Sequence, residues 1–105
     1  MDLREHIAGK FGYRFSGKLW TSPSPNAWHF ISLPTELANE IRRHLKSEEQ
    51  GWGRLQIFAR IGETQWATAI WFDTKLDTYL LPIKSEIRKR ENLYIEMNID
   101  VSIWI

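Results

Sequence analysis

Two cations one helical turn apart, Lys84 and Arg88, stand beside a Leu81-Pro82 corner. The i,i+4 spacing puts both on one face of a helix. A lysine and an arginine on one face can bind a carboxylate or a phosphate, and arginine can grip two oxygens at once. Lys89 and Arg90 extend the charge along this basic helix, residues 84–90, and a second helical pattern adds Arg42, Arg43 and Lys46. Phosphate contact supplies most sequence-independent nucleic-acid affinity, so the two helices together raise a nucleic-acid reading. Against it, Glu86 and Glu91 share the segment, and thirteen acidic residues nearly cancel fourteen basic ones, leaving a net charge of +1. A solvated, locally paired helix face is the plainer reading of the basic run. For Arg88, an internal ion pair with Asp73 or Glu96 weighs equally with ligand binding.

Other chemistry finds less support. His6, His29 and His44 have no metal-ligand spacing, and there is no cysteine, so no metal and no cofactor are expected. No paired-acid, nucleophile–histidine or glycine-rich phosphate motif is present, and Ser16-Gly17-Lys18 lacks the flanking glycines of a phosphate loop. The chain is therefore expected not to be an enzyme.

Six tryptophans in 105 residues need an account. Trp28, Phe30, Trp66 and Phe72 are read as core. Trp20, Phe58, Trp71 and Trp104 fall on the polar faces of their strands. They are expected to lie under covering elements, to form a stacking platform for single-stranded bases, or to bury in a homodimer interface.

The elements that must position these residues follow from periodicity. Residues 11–20 alternate with Phe11, Tyr13, Phe15 and Leu19 on one face, which predicts a half-buried strand with a bulge or sharp coil at Gly17. A Pro23–Pro25 loop leads to a strand over 27–33 and then Pro34, which is expected to open a helix over 35–46. Strands over 54–61 and 66–72 flank a hairpin turn at Gly62. A strand over 78–81 ends at Pro82, which is expected to open the helix reaching Arg90, with Asn92 as its left-handed stop. Met97, Ile99, Val101, Ile103 and Ile105 predict the closing strand. Residues 1–10 read as an N-terminal extension and 11–105 as one domain. The charged start lacks the apolar run of a signal peptide and no segment is long enough to span a bilayer, so the expected compartment is the cytoplasm, with no membrane association.

Trp28-His29-Phe30, Leu33-Pro34, Ile61-Gly62, Trp66-Ala67-Thr68 and Tyr79-Leu80-Leu81-Pro82-Ile83-Lys84 with Arg88 resemble a bacterial family of small, uncharacterised double-split β-barrel domains. The resemblance runs over roughly Phe11 to Ile103. It implies no established activity. More distantly, Leu81-Pro82-Ile83-Lys84, Ile87-Arg88, Leu93 and Val101 are similar to the swapped-hairpin domains of AbrB and MazE-type regulators, which are DNA-binding dimers. Those domains usually carry Gly-Asp where this chain has Glu96-Met97.

The expected fold is mostly β: a double-split β-barrel of about six strands from a duplicated strand–Leu-Pro–helix unit, capped by two short helices. The expected function is a small binding or interaction module of unknown ligand. A nucleic-acid-binding, regulator-like domain using the basic helix is the second reading. An enzyme with an unrecognised site in the barrel mouth is the third.

Overall fold

The computed structural model describes residues 11–23, 27–49, 51 and 53–105. The expected N-terminal extension, 1–10, lies outside them. Among the described residues nine elements follow in order: β1 (Gly12–Thr21), β2 (His29–Ser32), α1 (Thr35–Leu45), a 3-10 turn (Lys46–Glu48), β3 (Arg54–Ile61), β4 (Thr64–Asp73), β5 (Thr78–Pro82), α2 (Ser85–Glu91) and β6 (Asn98–Trp104). The strands close into an antiparallel barrel in the order β1-β2-β5-β4-β3-β6. The mostly-β, six-stranded barrel with two short helices is the fold the periodicity implied.

Alternation explains the interior. Leu55, Ile57, Ala59 and Ile61 of β3 point inward with Ile99, Val101 and Ile103 of β6, and all are buried. β3 and β4 pair along their whole length around a two-residue Gly62-Glu63 loop, with Gly62 at φ 57. Ile31 of β2 faces Leu81 of β5, and both are fully buried. Ile41 and Leu45 of α1 and Ile87 of α2 close the interior.

The strand order carries an internal symmetry. Exchanging β1 with β4, β2 with β5 and β3 with β6 returns the same ring. The β2–β5 pair is antiparallel, so the helices that follow these two strands leave from opposite ends of the barrel.

The two Leu-Pro corners are not built alike. Pro34 sits just before α1, and its carbonyl accepts from the Ala38 amide at 2.9 Å, as a helix entrance requires. Pro82, expected to open the second helix, is instead the last residue of β5. Proline removes only its own amide. The next amide, of Ile83, still donates to the His29 carbonyl at 2.8 Å, so the ladder runs one step past the proline. α2 then starts at Ser85, behind Lys84 in extended geometry, and stops at Asn92 with φ 55.

A second correction concerns phase. Trp28, read as core, is 56% exposed, whereas Ile31 and Leu33 fill the interior. Residues 28–33 are apolar on both phases, and pairing of Ile31 with Leu81 selects the phase that buries the aliphatics. Phe30 is buried, but on the outside of the barrel among other rings. Trp66 and Phe72 pack against the core as expected.

Gly17 marks the sharp coil. A Cβ there would lie 2.8 Å from Ile31 Cγ2 and 3.1 Å from the Ser32 carbonyl oxygen. This is where β1 leaves β6 and joins β2. A backbone atom cannot step aside, so Gly17→Ala is expected to cost about 1–3 kcal/mol, the usual range for overpacking. Urea denaturation checks this; a variant as stable as the parent removes the close-approach argument. Glu96, two residues before β6, makes a different demand: a non-glycine residue in the left-handed region at φ 74.

Candidate functional site

The ladder step from Ile83 to His29 builds the site. It brings Ile83 and Lys84 alongside the start of β2 and leaves a groove of about 520 Å³ between β2 and α2. Ala27, Trp28 and His29 line one side; Lys84, Ser85 and Arg88 line the other. The volume falls within the roughly 300–1,000 Å³ of small-molecule sites.

Arg88 is held in place at three points. Its amide donates to the Lys84 carbonyl at 3.1 Å, its Nε donates to the Ile83 carbonyl at 3.3 Å, and its Nη1 donates to His29 Nε2 at 3.2 Å. A guanidinium can only donate, so Nε2 accepts and the ring proton of His29 lies on Nδ1. Nδ1 is buried with no hydrogen-bond partner among the described residues. Burial first, and the Arg88 charge second, hold the His29 pKa below its ordinary value; the nearby Ala27 carbonyl opposes them weakly as a dipole.

No carboxylate neutralises Arg88 among the described residues. The internal partners considered from sequence are engaged elsewhere: Asp73 accepts from the Lys75 and Leu76 amides, both at 2.9 Å, and Glu96 lies 3.9 Å from Lys18. Glu91 accepts from the Thr64 hydroxyl at 2.6 Å. Five guanidinium N–H groups, less the two already bonded, leave three donors. Lys84 adds a second, exposed cation at the rim.

The remaining sequence candidates lie elsewhere. Lys89 and Arg90 are exposed on α2 and do not line the groove. Arg42 and Arg43 are on α1, toward the opposite barrel end. The Arg42 guanidinium stacks 3.9 Å over the Phe72 ring and lies 3.7 Å from Glu49, which also accepts from the buried Tyr79 hydroxyl. Burial first, and that carboxylate second, push the Tyr79 pKa upward, so the phenol stays a neutral donor. The basic helices therefore make no common surface.

The four outward aromatics split into two groups. Trp20 and Trp71 flank Phe30, at ring-centroid distances of 5.1 and 5.7 Å. Phe58 and Trp104 are cross-strand partners on β3 and β6. Beside Trp104 is a second hollow of about 630 Å³, lined by Arg14, Arg60, Asp100 and Ser102. Its carboxylate, Asp100, takes the Ser16 hydroxyl at 2.5 Å, and Arg60 donates to the Gly62 carbonyl at 2.8 Å. A hollow that contains its own anion is the poorer anion site. Among the described residues, no group of histidines and carboxylates is placed to hold a metal ion.

Sequence reading missed His29 and Trp28 as site residues. The signal was present in the two strand–Leu-Pro units. Pairing β2 with β5 antiparallel places the residues before one strand beside the residues after the other.

The lowered His29 pKa has a stability consequence. The unfolded ring takes up its proton near the ordinary value of 6.5, and the folded ring only at lower pH. Its contribution is complete above that value, falls as pH drops below it, and levels off once the folded ring is protonated. Urea midpoints at neutral pH and near about pH 5 should differ, and His29→Gln should shrink the difference. Identical acid sensitivity in parent and variant contradicts the assignment.

Together these features define a closed six-stranded antiparallel barrel with a cationic groove at the foot of α2. Within that class, the chain belongs to the family described as a domain of unknown function, DUF1905, which it matches over residues 15–103. No curated protein matches the sequence. Among the described residues, no helix is long and apolar enough to cross a membrane.

Proposed function

We propose that this barrel is a non-catalytic binding module that takes a small anionic group, a phosphate or a carboxylate, in the groove between β2 and α2. One observation carries the reading: Arg88 is partly buried and pinned at the groove, yet has no acidic partner among the described residues. A half-buried cation without a counter-charge is costly, and an anionic ligand offsets that cost. Lys84 supplies the second charge, and Arg88 supplies three aligned donors.

Related parts of the reading draw on the fold. The strand exchange that maps the barrel onto itself supports a double-split architecture and a distant kinship with AbrB and MazE-type swapped hairpins. A bacterial, cytoplasmic setting is compatible with it. Duplex DNA binding draws less support, because α1 and α2 leave opposite barrel ends and present no continuous basic stripe. An enzyme site in the barrel mouth also draws little support, because Leu19, Ile31, Ile57, Leu81 and Ile103 fill the interior that such a site would open into.

The test is a phosphate titration at low salt, followed by the ring resonances of His29 and the side-chain resonances of Arg88. Saturable shifts at both, weakened by added chloride, are the expected result. An unchanged spectrum at high phosphate refutes the reading.

A further inference from the structure

The groove has a flat aromatic wall as well as cations. Trp28 lines it and is 56% exposed. Exposure of a tryptophan is ordinarily accompanied by freedom of the ring, but here the indole is braced from behind. Phe30 stacks under it at 6.2 Å with an interplanar angle of 10°, and Trp71 meets it edge-on at 6.0 Å and 79°. Phe30 and Trp71 are themselves locked at 5.7 Å and 89°. Trp20 supports Phe30 from the far side and is anchored by its Nε1 donating to the Ser32 hydroxyl at 2.9 Å.

The backbone under Trp28 is fixed too. The Ser22 amide donates to the Trp28 carbonyl at 3.0 Å, and the Trp28 amide donates to the Ser22 hydroxyl at 3.2 Å. A ring packed against two others has less freedom to lose on stacking with a ligand. The exposed part of the indole lines the groove.

We propose that the ligand of this groove is a nucleotide, its base stacked on Trp28 and its phosphate held by Arg88 and Lys84. The inference rests on the anion-binding reading above and adds the half of the ligand that carries no charge. A planar π system answers the braced indole, and every base has such a face. A phosphate answers the uncompensated guanidinium and the rim ammonium. The space of about 520 Å³ admits both groups together. The nucleotide is free or is the terminal residue of a single strand; the chemistry of contact is the same.

Calorimetric titrations of the full chain with adenosine monophosphate, adenosine and inorganic phosphate test it. Adenosine monophosphate is expected to bind roughly ten-fold or more tighter than phosphate. Trp28→Ala is expected to bring the ratio of adenosine monophosphate to phosphate affinity down to near one. Trp28→Phe should recover part of the loss. Equal affinities for adenosine monophosphate and phosphate, with Trp28→Ala indifferent, overturn the nucleotide and leave the anion site standing. Failure of phosphate and adenosine monophosphate alike overturns both. A terminally phosphorylated single-stranded oligonucleotide separates the sources: binding tighter than the mononucleotide assigns a strand end, and binding no tighter assigns the free nucleotide. Both of those results require the nucleotide contact.

Discussion

Arg88→Ala should lower phosphate affinity by roughly ten- to a hundred-fold, because hydrogen bonds to a charged partner are each worth about 1.5–3 kcal/mol. The same change removes one bond to the Ile83 carbonyl and one to His29, both donated by the charged guanidinium, and also relieves the fold of a half-buried cation without a counter-charge, so the two effects on stability oppose each other. It also removes one of the two causes that depress the His29 pKa, so that pKa should rise toward its ordinary value. The joint readout separates two roles. An arginine that served only to support the corner would move stability and His29 without touching phosphate. Arg88→Lys should be intermediate: the charge survives, but an ammonium cannot hold Ile83, His29 and a ligand in one planar fork. Phosphate affinity unaltered in Arg88→Ala would remove the groove from consideration.

Leu81→Ala should be the most damaging change to the fold, at about 2–5 kcal/mol. A domain of this size holds about 5–15 kcal/mol in total, so the loss is a large fraction of it. Leu81 is fully buried, faces Ile31 across the β2–β5 pair and belongs to the single core cluster. Its counterpart Leu33 is 2% exposed; its amide donates to the Tyr79 carbonyl at 3.0 Å, and its carbonyl accepts from the Thr78 hydroxyl at 2.6 Å. Leu33 is almost as fully buried, so Leu33→Ala should cost a similar amount. Urea unfolding of both variants provides the comparison. A cost below about 1 kcal/mol at either site would mean that its corner collapses around the gap.

The asymmetry between the corners separates scaffold from site. At Pro34 the chain turns directly into α1, and Arg42 is spent on Glu49 and Phe72. The ladder runs one residue past each strand, Leu33 bonding the Tyr79 carbonyl and Ile83 the His29 carbonyl, and each helix starts two residues later. The corners differ in their side chains: Lys84 and Arg88 stand where the first corner has Pro34 and Ala38, and Arg88 meets a histidine in a groove that Trp28 lines. Two similar halves have thus come to differ where a ligand is proposed to bind.

Much of this protein was legible in the sequence by itself. Alternation along β3, β4 and β6 depends only on neighbouring residues, and so does the left-handed stop at Asn92. The Leu-Pro corners announced where strands yield to helices, because proline's missing amide acts locally. The pair Lys84 and Arg88 was visible as an anion candidate from helical spacing. What only the tertiary structure decided is non-local. Residues 28–33 are apolar in both phases, so period two cannot choose between burying Trp28 with Phe30 and burying Ile31 with Leu33; pairing with β5 chose. The same pairing sends the two basic helices to opposite ends and carries β5 past its proline through a bond between Ile83 and His29. The partner of Arg88 was undecidable for the same reason. A contact between residues far apart in the chain leaves no period in the sequence, and appears only when closure of the barrel sets which strands are neighbours.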